Sequence, residues 1–190
     1  MRKLVATELM SMDGVAESPD EWAFSYTDDE MQAEDAAGMA ASDALLLGRV
    51  TYEEFAAFWP NQPADNPMVD YINSVRKYVV SATLEEPPEW NNSTVIGGEG
   101  GTIVEEIAAL KREPGRDITI TGSLILVRSL MREGLLDELR CVVCPLVRGS
   151  GRRLFEEEED RRELELVDSK TFGTGVLYLT YQPAGKEVEG

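Results

Sequence analysis

The stretch Ala44-Leu45-Leu46-Leu47-Gly48-Arg49-Val50-Thr51-Tyr52-Glu53-Glu54 decides how this chain is read. An apolar run ends at a glycine, and Thr51-x-x-Glu54 has the spacing of a capping box, so a buried strand is expected to run directly into a helix. The first amides of that helix face the strand end. Arg49 adds a permanent cation beside them, and phosphate is the ligand that uses a fixed guanidinium and a helix N-terminus together. An ordinary strand-to-helix turn carrying a surface arginine fits the same residues.

Working outward, Leu4 to Met10 reads as a first strand, followed by a Gly-, Pro- and Asp-containing loop through Tyr26. Loops of that length often serve a site. Thr27-x-x-Glu30 is a second capping box, opening a helix to about Ala41, and Asp43 to Gly48 is the strand of the opening stretch. Tyr52 to Phe58 is a short helix stopped by Pro60, and the prolines and asparagines between Pro60 and Asn73 suggest an irregular excursion. Short strands follow at Arg76–Ser81, with Ser81 at the C-terminal end, and at Val95-Ile96. A flexible turn, Gly97 to Gly101, leads to a third capping box, Thr102-x-x-Glu105, and a helix over Ile103–Arg112 closed by Pro114 and Gly115. Asp117–Thr121 alternates as a strand, Gly122-Ser123 is a tight turn, and Leu124–Arg132 has helical spacing until Gly134. Leu139–Leu146 is a buried strand, and Leu164–Phe172 with Val176–Gln182 form a hairpin around Gly173-Thr174-Gly175.

Strands alternating with helices through residue 136 imply right-handed crossovers and a largely parallel sheet, to which the hairpin adds antiparallel strands. The expected fold is a three-layer α/β/α sandwich with a mixed, mostly parallel sheet. Residues 1–183 read as one domain and 184–190 as a flexible tail. Ligands in such sheets sit beyond the carboxyl ends of the strands, where Arg49, Ser81 and Gly122 are presented.

With 190 residues, 43% hydrophobic, the chain has enough apolar surface for one core and a cofactor cleft. Its 36 acidic and 18 basic residues give a formal charge of -18, which opposes nucleic acid or anionic lipid as partner. The run Glu156 to Asp160 reads as a solvated loop or a partner-binding tail. Glu8 and Asp13 interrupt the N-terminal apolar run, and no segment approaches the roughly 20 apolar residues of a membrane span, so a cytoplasmic protein is expected. The chain has no histidine, so proton transfer falls to a carboxyl group, Tyr, Lys, Cys or water. Cys141 and Cys144 lie in an apolar strand and point to opposite faces, which reads as core; no metal site is expected.

Gly122-Ser123 suits backbone amides approaching a pyrophosphate at the start of a helix, or close packing of helix on strand. Ser81 reads as a contact to a ribose phosphate or as a strand-terminal turn residue. Arg and Ser around an extra phosphate favour NADPH over NADH. Arg148, Arg152 and Arg153 are further cations for an anionic cofactor. Asp13 could orient a substrate or relay a proton, or simply make an Asp-Gly turn. Trp22, Phe24 and Tyr26 make the first loop aromatic, as a lid over a flat ring or a hydrophobic anchor.

The ordered series Ser11-Met12-Asp13-Gly14-Val15-Ala16, Leu46 to Tyr52, Val79-Val80-Ser81, Gly122-Ser123, Gly134 to Leu139 and Pro145 through Gly149-Ser150-Gly151 to Phe155 resembles the dihydrofolate reductase-like family. That family includes the reductase domain of the bifunctional riboflavin biosynthesis deaminase-reductase. The resemblance spans about residues 3 to 182 and implies an NADPH-dependent reductase acting on a small flat heterocyclic or carbonyl substrate, usually as a homodimer. It implies that Gly48 and Thr51 bind the cofactor at the helix start, Arg49 its phosphates, Ser81 its adenosine end, and Gly122, Ser123 and Leu124 its pyrophosphate, with Trp22 also in contact. Asp13 then lies near the reacting end, and Asp13, Glu30 or an ordered water supplies the proton. Ile120 stands where riboflavin-pathway reductases carry a glutamate, and Glu30, Gln32 and Glu34 lie near the place of the inward acid of a dihydrofolate reductase. A non-catalytic dinucleotide-binding or dimerisation module on the same fold is the alternative, favoured by Ile120.

Overall fold

Among the described residues eight segments pair into strands: β1 (Leu4–Ser11), β2 (Ser42–Gly48), β3 (Arg76–Val80), β4 (Ser93–Ile96), β5 (Asp117–Ile120), β6 (Glu138–Cys144), β7 (Leu164–Thr171) and β8 (Leu177–Pro183). Five α-helices connect them: α1 (Asp29–Ala41), α2 (Arg49–Phe58), α3 (Pro67–Ser74), α4 (Ile103–Arg112) and α5 (Leu124–Arg132). The computed structural model describes residues 1–63, 65–84, 89–97, 102–156 and 161–184. The strands form one sheet in the order β4-β3-β2-β5-β1-β6-β8-β7. β1 to β6 pair in parallel, and β8 runs antiparallel to both β6 and β7.

Apolar side chains on alternate strand positions give the sheet two buried faces. Leu4, Ala6, Leu46, Ile118 and Ile120 pack with Ile107 and Leu110 of α4 and Val127 and Leu130 of α5. On the opposite face, Leu45, Leu47 and Val79 pack with Tyr52 of α2 and Ile72 of α3, while Val142, Cys144 and Tyr178 cover Met31 of α1. This is the expected sandwich. Cys141 belongs to the first face and Cys144 to the second, and burial pushes their thiols up to about 12 and about 11.

The order of the strands determines where the chain opens. From β2 the chain leaves through α2 toward β3, whereas from the adjacent β5 it leaves through α5, crossing β1 to reach β6. Right-handed crossovers in opposite directions send the two helices to opposite faces, so a crevice remains above the ends of β2 and β5.

Three boundaries differ from the sequence reading. α2 starts at Arg49, with extended Gly48 (φ -69, ψ 155) before it; Thr51 is already inside the helix and caps nothing. Its hydroxyl is drawn to another turn, described below. At α1 the cap is Asp28, whose carboxylate accepts from the Met31 amide at 2.9 Å, so the helix starts one residue later than a Thr27 cap would place it. The excursion after Pro60 contains α3, opened by Asn66 accepting from the Met68 amide at 2.9 Å and by Pro67 in the first turn. Thr102 caps α4 as expected, accepting from the Glu105 amide. Gly98–Gly101, most of the acidic run after Glu156 and tail residues 185–190 lie outside the described residues, while the Ala184 amide still donates to the Glu163 carbonyl.

Candidate dinucleotide site between two helix ends

Two hydrogen bonds pin the starts of α2 and α5 together over the β2–β5 crevice. The Gly48 amide donates to Ser123 Oγ at 3.0 Å, and Thr51 Oγ1 donates to the Gly122 carbonyl at 3.1 Å. Thr51 and Ser123 are both buried, so these links are shielded from competing water. Gly122 adopts φ +70, a left-handed conformation costing a residue with a Cβ roughly 1 kcal/mol or more, and its Cβ would lie 3.3 Å from Thr51 Cγ2. The backbone therefore favours glycine, and a Cβ would also need Thr51 to give by a few tenths of an ångström.

Neither helix end is closed by a side chain. No side-chain cap bonds the first turn of α2 or α5, while α1, α3 and α4 are capped by Asp28, Asn66 and Thr102. The leading amides of a helix have no partner within it, so α2 and α5 present N–H donors and the positive ends of two dipoles side by side. That donor set fits a diphosphate. Leu124, the first residue of α5, is at the edge of this set with its side chain in the core.

The candidate cations are all paired. Arg49 Nε bonds Glu53 at 2.7 Å and its guanidinium reaches Thr83 Oγ1 at 2.9 Å. Arg152 pairs with Glu17 at 2.6 Å, Arg148 with Glu21 at 3.7 Å and Arg153 with Asp13 at 3.8 Å. Exposed pairs of this kind are worth about 0–1 kcal/mol, so an arriving phosphate can displace the Glu53 carboxylate from Arg49. Ser81 Oγ accepts from the Thr83 and Leu84 amides at 3.2 and 3.1 Å, which shapes the turn that delivers Thr83 to Arg49. Its hydroxyl is thus engaged in its own turn.

The first loop is bound to the chain around Leu146–Leu154 rather than hanging free. Asp13 accepts from Ser11 Oγ at 2.6 Å and from the Arg148 and Gly149 amides at 3.0 and 2.8 Å. These donors, the Ser11 hydroxyl foremost, hold its carboxyl far below the usual range, so Asp13 is a fixed anion that clamps two loops and has no proton to give. Val15 bridges to Arg153, and the Ala16 amide donates to the Arg152 carbonyl. Trp22 Nε1 donates to the Glu17 carbonyl at 3.1 Å, and Arg148 lies 5.8 Å from its ring centre. Glu30 is exposed and accepts from the Gly173 amide at 2.9 Å, tying α1 to the turn between β7 and β8.

Three residues carry weight that the sequence reading did not give them. Thr83 holds Arg49. Asp35, one turn beyond buried Met31, is half-buried beside Tyr178, and burial reinforced by Glu34 pushes its carboxyl up to about 6. Glu8, in the central strand, is 2% exposed and accepts from the Gly122 amide at 3.1 Å. Burial pushes Glu8 up to about 8 against the pull of the Gly122 and Ser123 amides.

Residues 2–178 match the RibD C-terminal domain. The chain belongs to that family. "Uncharacterized protein YyaP" of Bacillus subtilis (strain 168) is 32% identical over 142 residues, 73% of each chain. Among solved structures, a riboflavin biosynthesis protein candidate from Shewanella sp. PV-4 superposes with a TM-score of 0.76 at 22% identity, covering 96% of this chain and 99% of that one. Dihydrofolate reductase from Enterococcus faecalis, complexed with NADP(H), gives 0.56 at 16% identity over 95% and 96%. The RibD C-terminal domain fold is thus dihydrofolate reductase-like here, from the first strand to the antiparallel C-terminal pair. Among the described residues no helix is long and apolar enough to cross a membrane.

Proposed function

We propose that this protein is an NADPH-dependent reductase that transfers hydride to a small flat heterocyclic or carbonyl substrate. The observation that carries the reading is the pair of uncapped helix ends pinned together above the β2–β5 switch point. When bound, the cofactor supplies the hydride. The residues that would hold the cofactor are those of the crevice: the α2 and α5 amides would take the diphosphate and Arg49 a phosphate at the Ser81–Thr83 turn, while Asp13 clamps the first loop to the Arg148 and Gly149 amides. Positioning of this kind, with no covalent intermediate, accounts for most of the rate.

In this reading the proton comes from Glu30 or an ordered water, because the Ser11 hydroxyl and the Arg148 and Gly149 amides hold Asp13 ionised. The test is NADPH consumption against a panel of pterins, pyrimidines and carbonyl compounds across pH 5 to 8. Turnover with at least one compound supports the reductase reading. NADPH binding without turnover across the panel favours the non-catalytic module instead, for which the burial of Ile120 in the core is the structural argument.

A further inference from the structure

Among the described residues, one lysine and one glutamate are wholly enclosed by the sheet and its helices, and they are treated differently. Lys77, fully buried, donates to the Asn73, Val75 and Asn91 carbonyls at 2.9–3.1 Å and lies 4.3 Å from the Trp90 ring centre. Its shell is complete. Glu8 has one oxygen, Oε2, on the Gly122 amide, while Oε1 is buried with no hydrogen-bond partner. No basic side chain among the described residues pairs with it.

The surroundings of Glu8 offer a charge there only the Gly122 and Ser123 backbone amides and no cation. On β6 its register partner is Cys141, whose thiol is held neutral. β5 offers Ile118 and Ile120, and α5 offers Leu124, Leu126, Val127 and Leu130 to the same core. The charged residue of α5 nearest that core, Arg128, bonds the Arg153 and Leu154 carbonyls and pairs with Glu156. On α4, Lys111 is occupied by the Leu135 carbonyl and Asp137. A carboxylate here would place a negative charge with no counter-cation directly beneath the turn whose outer edge faces the crevice. A protonated carboxyl would hold the same turn without that charge.

We propose that Glu8 is a positioning residue whose proton is linked to ligand binding: the Gly122–Ser123 turn accepts an anionic diphosphate only while the Glu8 carboxyl beneath it is neutral. The proposal rests on the dinucleotide reading of the crevice and adds its regulation. At neutral pH the enclosed carboxyl holds its proton, since burial has moved its midpoint to about 8. Above that pH the free protein loses the proton, and the bound form must recover it. By linkage, the dissociation constant then rises about tenfold for each further pH unit. The ligand's own phosphate ester, with a second ionisation near 6, is fully charged before this window opens.

The experiment is calorimetric titration of the full chain with NADPH, and separately with inorganic pyrophosphate, at intervals from pH 6.5 to 9.5. The wild type is expected to weaken roughly 30-fold between pH 7 and 9.5, the fall of a single proton with a midpoint near 8. Glu8→Gln, which keeps an acceptor for the Gly122 amide and cannot ionise, is expected to bind at pH 7 within about threefold of the wild type and to show a flat profile. In parallel, carbon-13 NMR of the Glu8 carboxyl in the wild type is expected to titrate near 8 when free and to stay in its protonated position to higher pH when NADPH is bound. That measurement holds even if the variant fails to fold. Binding with no pH slope, an equal slope in Glu8→Gln, or a carboxyl that ionises at the same pH free and bound would each overturn the role of Glu8. Absence of NADPH and pyrophosphate binding at every pH would overturn the dinucleotide reading itself.

Discussion

The five helices fall into two groups at their N-termini. α1, α3 and α4 are closed by Asp28, Asn66 and Thr102, whose side chains satisfy leading amides that would otherwise need water. α2 and α5 follow adjacent strands, have no such side chain, and are joined instead through Ser123 Oγ and Thr51 Oγ1. A cap adds about 1 kcal/mol of stability, so leaving two helices open costs the fold a measurable amount at one place. The difference locates the part of the molecule that is shaped for something other than its own stability.

The comparison can be inverted with one substitution. Gly48 already has an extended backbone that any residue adopts, and a Cβ there would approach only Ser123 Oγ and Cβ, at 3.7 and 3.9 Å. Gly48→Asp should therefore install the missing cap on α2, raising stability by a few tenths of a kcal/mol while lowering NADPH affinity roughly 100-fold, as a carboxylate fills the amides and repels the phosphates. Thermal unfolding and calorimetry on the same sample check both signs. Next in size, Gly122→Ala and Gly134→Ala should each cost about 1–2 kcal/mol, because both positions have positive φ. Only Gly122→Ala, crowded by Thr51, should also weaken NADPH binding, about tenfold; the Cβ at Gly134 meets nothing within 4 Å. Arg49→Ala should weaken NADPH binding about three- to fivefold and NADH binding less, a modest effect because the arginine is exposed and already paired with Glu53. The smallest binding effect is expected from Thr102→Ala, which should remove about 1 kcal/mol of stability and leave the NADPH dissociation constant unchanged.

Most of the fold was legible in the chain because its signals are local. The apolar runs of β2 and β6, the Gly and Pro stops and the alternation of β5 each act over a few residues, and Thr102 capped the helix that its spacing announced. α3 was missed although Asn66 and Pro67 stand at its start, because the surrounding prolines and asparagines read equally well as loop. Thr51 and Glu54 have the pattern of a capping box, but the Thr51 hydroxyl bonds Gly122, 71 residues away, and no local pattern encodes such a partner. Glu8 is the residue least legible in the chain. In sequence it only breaks an apolar run; its importance comes from β5 ending beside β1, which places the Gly122 amide against its carboxyl. In sequence Asp13 reads as a proton relay, a substrate-orienting group or part of an Asp-Gly turn; its hydrogen bonds to the amides of residues 148 and 149, distant in the chain, make it a clamp.

The most direct measurement is a nitrogen-15 NMR titration of the wild-type chain with NADPH, following the leading amides of all five helices. The account predicts large, saturable shifts at Arg49, Val50, Leu124 and Ile125, and none of comparable size at Met31, Met68 and Glu105, the amides already held by side-chain caps. Equal shifts at both groups, or shifts confined to the capped ends, would contradict it.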